Sequence, residues 1–340
     1  VKVLVDDPFG AAKDPNLPTL PAALDPDQVK AAFKRGFPRL TGNGFVVPKA
    51  IRVTRYKPGR RAVVEYDVRI EEDGRRIAKA ILIGKVRARR SGNEGYRLLE
   101  AIWNAGFETG NPDKVCVPEP VGVIPAFQMW FQRKVSGAPA TGLLAGPEGI
   151  SLSKRIAKAI HKLHQANVPT ERRHTMGDEL RILRECLSKV EAQNPEWSSR
   201  IERLWQACER IDSGVNPPRF CGVHRDFYPA QVLVRKSKLW LIDFDLYCVG
   251  DPGLDIGNFL GHMTEQSLRE LGDANLLAGQ ERALEEEFLK LAGAEHRASI
   301  HAYTVLTLAR HVYLSTQFPE RQRFTETLLR LCEQRLGLQS

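Results

Sequence analysis

Two short apolar runs separated by four polar residues constrain this chain's fold more than any other feature: Gln231–Val234 (QVLV) and Leu239–Ile242 (LWLI), with Arg235–Lys238 between them. Runs of this kind so close together read as the strands of a β-hairpin. A hairpin sets the residues at its two open ends side by side. His224, Arg225 and Asp226 precede the first strand, Gln231 opens it, and Asp243 closes the second. Two carboxylates and an amide therefore converge on one spot. A hard cation such as Mg²⁺ takes oxygen ligands, usually a carboxylate or two together with substrate phosphates. A carboxylate left beside it can accept a proton from a hydroxyl. Asp243 and Gln231 suit the metal, and Asp226 suits the base.

The order of these residues carries further information. His224 to Gln231 (HRDFYPAQ), followed by Asp243-Phe244-Asp245, parallels the protein-kinase order H-R-D-x-x-x-x-N and D-F-G, with Gln in place of Asn and Asp in place of Gly. A lone HRD triplet arises by chance, and an Asp before a strand often only caps a turn. The ordered set in its strand context is what gives the motif weight. With Gly250-Asp251-Pro252 and Asp255 following, the stretch from Phe220 to Phe259 resembles the catalytic and metal loops of the aminoglycoside phosphotransferase and choline kinase family, small-molecule relatives of the protein kinases. The resemblance implies Asp226 as catalytic base, Asp243 as principal Mg²⁺ ligand and Gln231 in the place of the usual Asn. It also implies that Asp255 steadies the catalytic loop by hydrogen bonding. Asp251, followed by Pro252, reads as a helix cap and is architectural.

Ahead of this stretch, Ile51–Arg55, Ala62–Ile70 and Ile77–Lys85 read as an antiparallel meander, with turns at Lys57–Arg61 and Glu71–Gly74. Gly92–Trp103 follows as a helix. No G-x-G-x-x-G is present. In a kinase-like small lobe the first turn lies over the ATP phosphates, so the resemblance implies close approach at Gly59 and charge from Arg60 or Arg61. It implies Lys85 as the phosphate-binding lysine, paired with Glu94 or, failing that, Glu100. Met129–Val135 runs into Ser136-Gly137-Ala138-Pro139, a break in composition that resembles the family's linker between lobes, with Phe131, Gln132 and Arg133 beside the adenine. Asp25-Pro26-Asp27-Gln28 starts a helix, whereas residues 1–24, rich in Pro and Asp without periodicity, read as an extended arm. From Leu152 the period is helical, and His164 on the stripe of Ile156, Ile160 and Leu163 reads as a buried, hydrogen-bonded histidine.

A chain of 340 residues exceeds the size at which one core stops growing, so two lobes are expected. The expected fold is α+β, bilobal and protein-kinase-like: an arm at 1–24, a small antiparallel-sheet lobe at 25–128, a hinge at 129–137 and a mostly helical lobe at 138–340. No stretch approaches the roughly 18 apolar residues of a membrane span, and the apolar run in VKVLVDDPFG is too short for a secretory signal; a cytoplasmic location is expected. Six scattered cysteines without a C-x-x-C pair argue against a zinc site and a disulfide framework. The net charge of +9 is spread along the chain, densest at Lys85–Arg90 beside the expected nucleotide site, so neither nucleic acid nor membrane is an expected partner. The expected partners are a nucleotide and a small-molecule acceptor. The expected function is ATP- and Mg²⁺-dependent phosphorylation of a hydroxyl on a small molecule. A sugar or other metabolite is favoured over an aminoglycoside, because a polycation needs several carboxylates and Glu285–Glu287 are the main candidates to supply them. The alternatives are a weakly active or inactive nucleotide-binding regulator, raised by Gln231, and an aminoglycoside-modifying kinase. A protein kinase is disfavoured, since no room is left after Asp243 for a long activation loop ending in A-P-E.

Overall fold

Strict alternation of burial explains the first sheet. Along Arg61–Glu72, the residues Ala62, Val64, Tyr66, Val68 and Ile70 are all buried, which gives one strand face to a core and the other to polar residues. In the computed structural model, which describes residues 3–37, 40, 44–72, 75–88, 92–212 and 220–338, the chain divides into two units, Val1–Ser136 and Gly137–Ser340.

In the first unit, β1 (Leu4–Asp6), β2 (Phe45–Lys57), β3 (Arg61–Glu72), β4 (Arg75–Arg87), β5 (Pro120–Ile124) and β6 (Met129–Arg133) form one sheet in the order β1-β2-β3-β4-β6-β5. All neighbours are antiparallel except β1, which runs parallel to β2 with Leu4 opposite Ala50. The inner face is covered by α2 (Pro26–Gly36), whose start is fixed as the sequence implies: the Asp25 carboxylate accepts the amides of Asp27 and Gln28, and Pro26 takes the first helical position. Phe33 and Phe37 pack edge-on against Phe131 at 5.5 and 5.1 Å between ring centres, and Tyr66 closes the group.

Residues 3–24 differ from the expected arm. Besides β1 they form α1 (Leu20–Leu24), and Ala11, Leu17, Leu20 and Ala23 belong to the buried core. The apolar residues at 17, 20, 23 and 24 are spaced for one helical face, and Pro21, in the first turn of α1, costs no hydrogen bond there. The last turn of the meander falls partly on residues 73 and 74, and the basic cluster partly on residues 89 and 90, which lie outside the described residues.

The second unit is mostly helical: α3 (Gly92–Ile102) belongs to the first, and the second holds α4 (Gly149–Gln165), α5 (Met176–Gln193), α6 (Ser198–Asp212), α7 (Pro252–Gln266), α8 (Ala278–Ala292), α9 (Arg297–Thr316) and α10 (Thr325–Arg335). Its strands are few. β7 (Ala138–Pro139), β9 (Val232–Arg235) and β10 (Lys238–Leu241) pair antiparallel with β9 in the middle, and β8 (Cys221–Val223) pairs with β11 (Cys248–Gly250). Helix α7 is buried on every side from Pro252 to Gly261. It lies so close to α9 that a Cβ added at Gly257 would come within 2.7 Å of the Thr304 amide nitrogen. Among the described residues no helix is long and apolar enough to cross a membrane.

Candidate active site

The hairpin forms as its sequence implies, with Val232 opposite Leu241 and Arg235 opposite Lys238. The one shift is at its mouth. Gln231 ends a 3-10 turn (Pro229–Gln231) instead of opening the strand, because Pro229 favours the turn and the Gln231 amide bonds back to the Tyr228 carbonyl. The Gln231 carbonyl still accepts the Ile242 amide at 3.0 Å, which brings Gln231 alongside Asp243. Its side-chain amide donates to Asp226 Oδ2 at 3.4 Å. Asp226, Gln231 and Asp243 are therefore gathered at the open end of the hairpin, within the second unit.

The loop that carries Asp226 is held from below. The Asp255 carboxylate, 0% exposed, accepts the backbone amides of His224 at 2.8 Å and Arg225 at 2.7 Å and bonds His164 Nε2 at 2.9 Å. Buried amides stripped of such an acceptor would each cost roughly 1–3 kcal/mol. His224 Nε2 donates to the Ile242 carbonyl at 2.9 Å, linking the loop to the second strand of the hairpin. One step further along, Asn258 Nδ2 donates to the Phe227 carbonyl at 2.9 Å. Asn258 is oriented in turn by Arg310, which donates to its Oδ1 at 2.9 Å and to Glu179 at 2.8 Å, while Glu179 also bonds His174. Arg225 and Asp243 both adopt the left-handed backbone conformation, at φ 68° and 66°. Side chains other than glycine seldom do so, and strain of this kind persists where surrounding contacts over-determine it.

Burial pushes the Asp226 carboxyl above its ordinary range, and the neighbouring Asp243 charge pushes the same way, while His224, Arg310 and Gln231 act in the opposite direction. A carboxylate whose proton affinity is raised by a second carboxylate beside it marks a place where a cation is welcome. The oxygens of Asp243 and of the Gln231 side-chain amide are hard donors, of the kind that suits Mg²⁺ held jointly with phosphates. Asp251, by contrast, caps α7: its carboxylate accepts the Gly253 amide at 2.7 Å and the Ser299 hydroxyl at 3.3 Å.

The remaining candidates lie in the first unit. Lys85 on β4 stands opposite Trp130 on β6, with its Nζ 5.1 Å from the Trp130 ring centre. Trp130 also packs on the first turn of α3, where a Cβ added at Gly95 would meet its Nε1 at 2.6 Å. Lys85 and the turn carrying Glu94 thus share one tryptophan; Glu94 is exposed, and Glu100 accepts a hydrogen bond from Tyr96 at 3.0 Å. Arg60 is exposed at the β2–β3 turn, and Arg61 opens β3. Phe131 points into the core and is fully buried. Strand β6 runs between β4 and β5, with Gln132 opposite both Ile83 and Pro120. The Arg133 amide donates to the Glu119 carbonyl at 2.9 Å, and its guanidinium pairs with Glu119 at 2.6 Å. The sequence reading passed over Asn258 and Arg310. Asn258 lies three residues after Asp255 on the same helix face, and Arg310 is a charge inside the apolar run YTVLTLARHVYL; both signals were present.

Comparison with solved structures shows that the fold is the one shared by small-molecule kinases. A choline/ethanolamine kinase family protein from Mesorhizobium loti superposes with a TM-score of 0.58 at 16% identity, over 91% of this chain and 94% of that one. A spectinomycin phosphotransferase in complex with ADP and spectinomycin gives 0.54 at 10% identity, over 92% and 96%. A glucosamine kinase in complex with glucosamine, ADP and inorganic phosphate gives 0.55 at 12% identity, over 86% and 81%. Residues 25–298 match the phosphotransferase enzyme family, and the chain belongs to that family. No curated protein sequence matches it.

Proposed function

We propose that this protein transfers the terminal phosphoryl group of ATP, with Mg²⁺, to a hydroxyl of a small molecule. The observation that carries the reading is the gathering of Asp226, Gln231 and Asp243 at the mouth of one hairpin, above a loop clamped by Asp255. Family membership and the kinase neighbours, two of them with ADP, support it. Asp243 and the Gln231 amide oxygen would hold the metal, which would supply positive charge to offset the charge developing on the transferred phosphoryl group. Asp226 accepts the proton of the acceptor hydroxyl on a carboxylate oxygen, and its raised pKa makes it the stronger base. Asp255 and Asn258 fix the loop so that little reorganisation accompanies the transfer.

In the first unit, Lys85 reaches the phosphates with Glu94 as its partner, and Arg60 and Arg61 meet them from the β2–β3 turn. Because the backbone of β6 is committed to the sheet through Arg133, recognition of the adenine edge falls to the linker residues after it. The acceptor is a sugar or other metabolite in preference to an aminoglycoside. Of the three consecutive glutamates in α8, Glu285 pairs with Arg297 and Glu287 with Lys158, each at 3.2 Å, so two already have cationic partners within this chain.

Release of ADP in the presence of Mg·ATP, measured across sugars, amino sugars, amino alcohols and aminoglycosides, tests the proposal. A sugar-type or amino-alcohol acceptor phosphorylated by the wild type and not by Asp226→Asn is the expected result. Turnover of aminoglycosides alone would reassign the acceptor, and ATP binding without consumption in any mixture would leave a nucleotide-binding regulator as the better reading.

A further inference from the structure

The segment before α2 carries a contact that the motifs do not account for. Asp14, 7% exposed, reaches across 45 residues to the tip of the β2–β3 turn. Its Oδ2 accepts the Gly59 amide at 2.7 Å and the Tyr56 hydroxyl at 3.0 Å, while its Oδ1 accepts the Asn16 amide at 2.9 Å and the Asn16 side chain at 3.3 Å. Both carboxylate oxygens are thus engaged. The platform under Asp14 is itself fixed. The Asp7 carboxylate accepts the amides of Ala11 and Ala12 at 3.0 Å, the Thr19 hydroxyl donates to the Phe127 carbonyl at 2.8 Å, and the buried Tyr66 hydroxyl donates to the Ala23 carbonyl at 2.9 Å.

The turn is held from its other side as well. The Arg60 amide closes it onto the Lys57 carbonyl at 3.0 Å, and the Arg60 carbonyl accepts the Ala88 amide at 3.0 Å. Pro58 precedes Gly59, whose φ of +67° is the left-handed value that a Pro-Gly turn of type II requires. A glycine-rich flap grips phosphate with free backbone amides and must be ordered when the nucleotide binds. Here the amide at the tip is already bonded to a carboxylate, so the contact with phosphate passes to the guanidinium groups beside it, and the ordering cost is met before binding.

We propose that Asp14 is a positioning residue of the nucleotide subsite: it pins the β2–β3 turn so that Arg60 and Arg61 are presented to the ATP phosphates in a fixed geometry. The inference rests on the reading that this turn covers the phosphates. It assigns to the N-terminal segment a role in nucleotide affinity, and it places the phosphate grip on side chains.

The test compares wild type, Asp14→Ala and Asp14→Asn by two measurements. Amide hydrogen exchange over residues 57–61, without nucleotide, reads the pin itself; exchange is expected to quicken clearly in Asp14→Ala and less in Asp14→Asn, which keeps one acceptor oxygen. The KM for ATP is expected to rise about fivefold in Asp14→Ala and about twofold in Asp14→Asn, with the loss expressed in that KM and not in kcat or in the acceptor KM. Unchanged exchange overturns the pin. Faster exchange with an unchanged KM for ATP overturns its link to the nucleotide, as does a fall in kcat that merely tracks a lowered melting temperature. If Asp14→Ala does not fold, Asp14→Asn decides by the same criteria. A wild type that neither binds nor consumes ATP fails the proposed function itself, an outcome separate from an active wild type indifferent to Asp14.

Discussion

The loop that carries Asp226 and the β2–β3 turn are held by the same device, a carboxylate distant in sequence that accepts backbone amides, yet the two carboxylates work in different surroundings. Asp255 lies under the loop on a fully buried helix, takes the amides of His224 and Arg225, and is braced by His164. Asp14 takes the Gly59 amide at a turn whose neighbours Lys57 and Arg60 are exposed. When Asp255 is lost, no water is at hand to satisfy the amides it leaves, whereas a turn released from Asp14 can exchange its bond for solvent. The difference teaches where each hydrogen bond acts: under the loop it supports a buried part of the fold, and at the turn it fixes a segment that borders solvent.

Asp226→Asn gives the largest expected effect and sharpens the contrast. Turnover should fall on the order of a hundredfold or more, the usual scale for removing a positioned acid or base, while ATP affinity stays within a few-fold. Steady-state ADP release together with ATP titration checks both halves. Equal losses in the two would merge the roles that the comparison keeps apart.

Asp255→Ala is the way to break it. Orphaning the amides of His224 and Arg225 should lower the unfolding free energy by about 2–6 kcal/mol, from roughly 1–3 kcal/mol per buried amide, read from urea unfolding followed by circular dichroism. A loss below about 1 kcal/mol, the scale of an ordinary exposed hydrogen bond, would show that the two carboxylates are equivalent after all. Gly59→Ala gives the smallest effect. A side chain at φ +67° should cost about 1 kcal/mol, although the space itself is open, the nearest atom to an added Cβ being Asn16 Nδ2 at 3.5 Å. The affinity for ATP should weaken a few-fold while kcat is nearly retained. A larger drop in kcat than in affinity would mean that the turn participates in the chemistry.

What could be read from the sequence follows from how local each signal is. The hairpin, the cap at Asp25 and the ordered run from His224 to Asp255 are set by neighbours a few residues away, and each formed close to the expected place. Asp14 gave no such signal. Its partners Tyr56 and Gly59 lie 42 and 45 residues on, and the prolines around it suggested an extended arm where the chain instead builds β1, α1 and part of the core. Phe131 shows the reverse case: a composition break near Ser136 drew attention to a linker, whereas the apolar strand before it carries the Phe131 side chain inward, where it packs on Phe33 and Phe37. Arg310 stands out in the sequence as a charge inside an apolar run, but its role does not, because its partners Glu179 and Asn258 come from two other helices.

The central claim is that the mouth of the hairpin is a metal-dependent nucleotide site, and calorimetric titration with ATP tests it without knowledge of the acceptor. Wild type and Asp243→Ala would each be titrated with Mg²⁺ present and again with EDTA in its place. The account predicts that wild type binds ATP more tightly with Mg²⁺ and that Asp243→Ala loses this difference. Equal wild-type affinity in Mg²⁺ and in EDTA would contradict it.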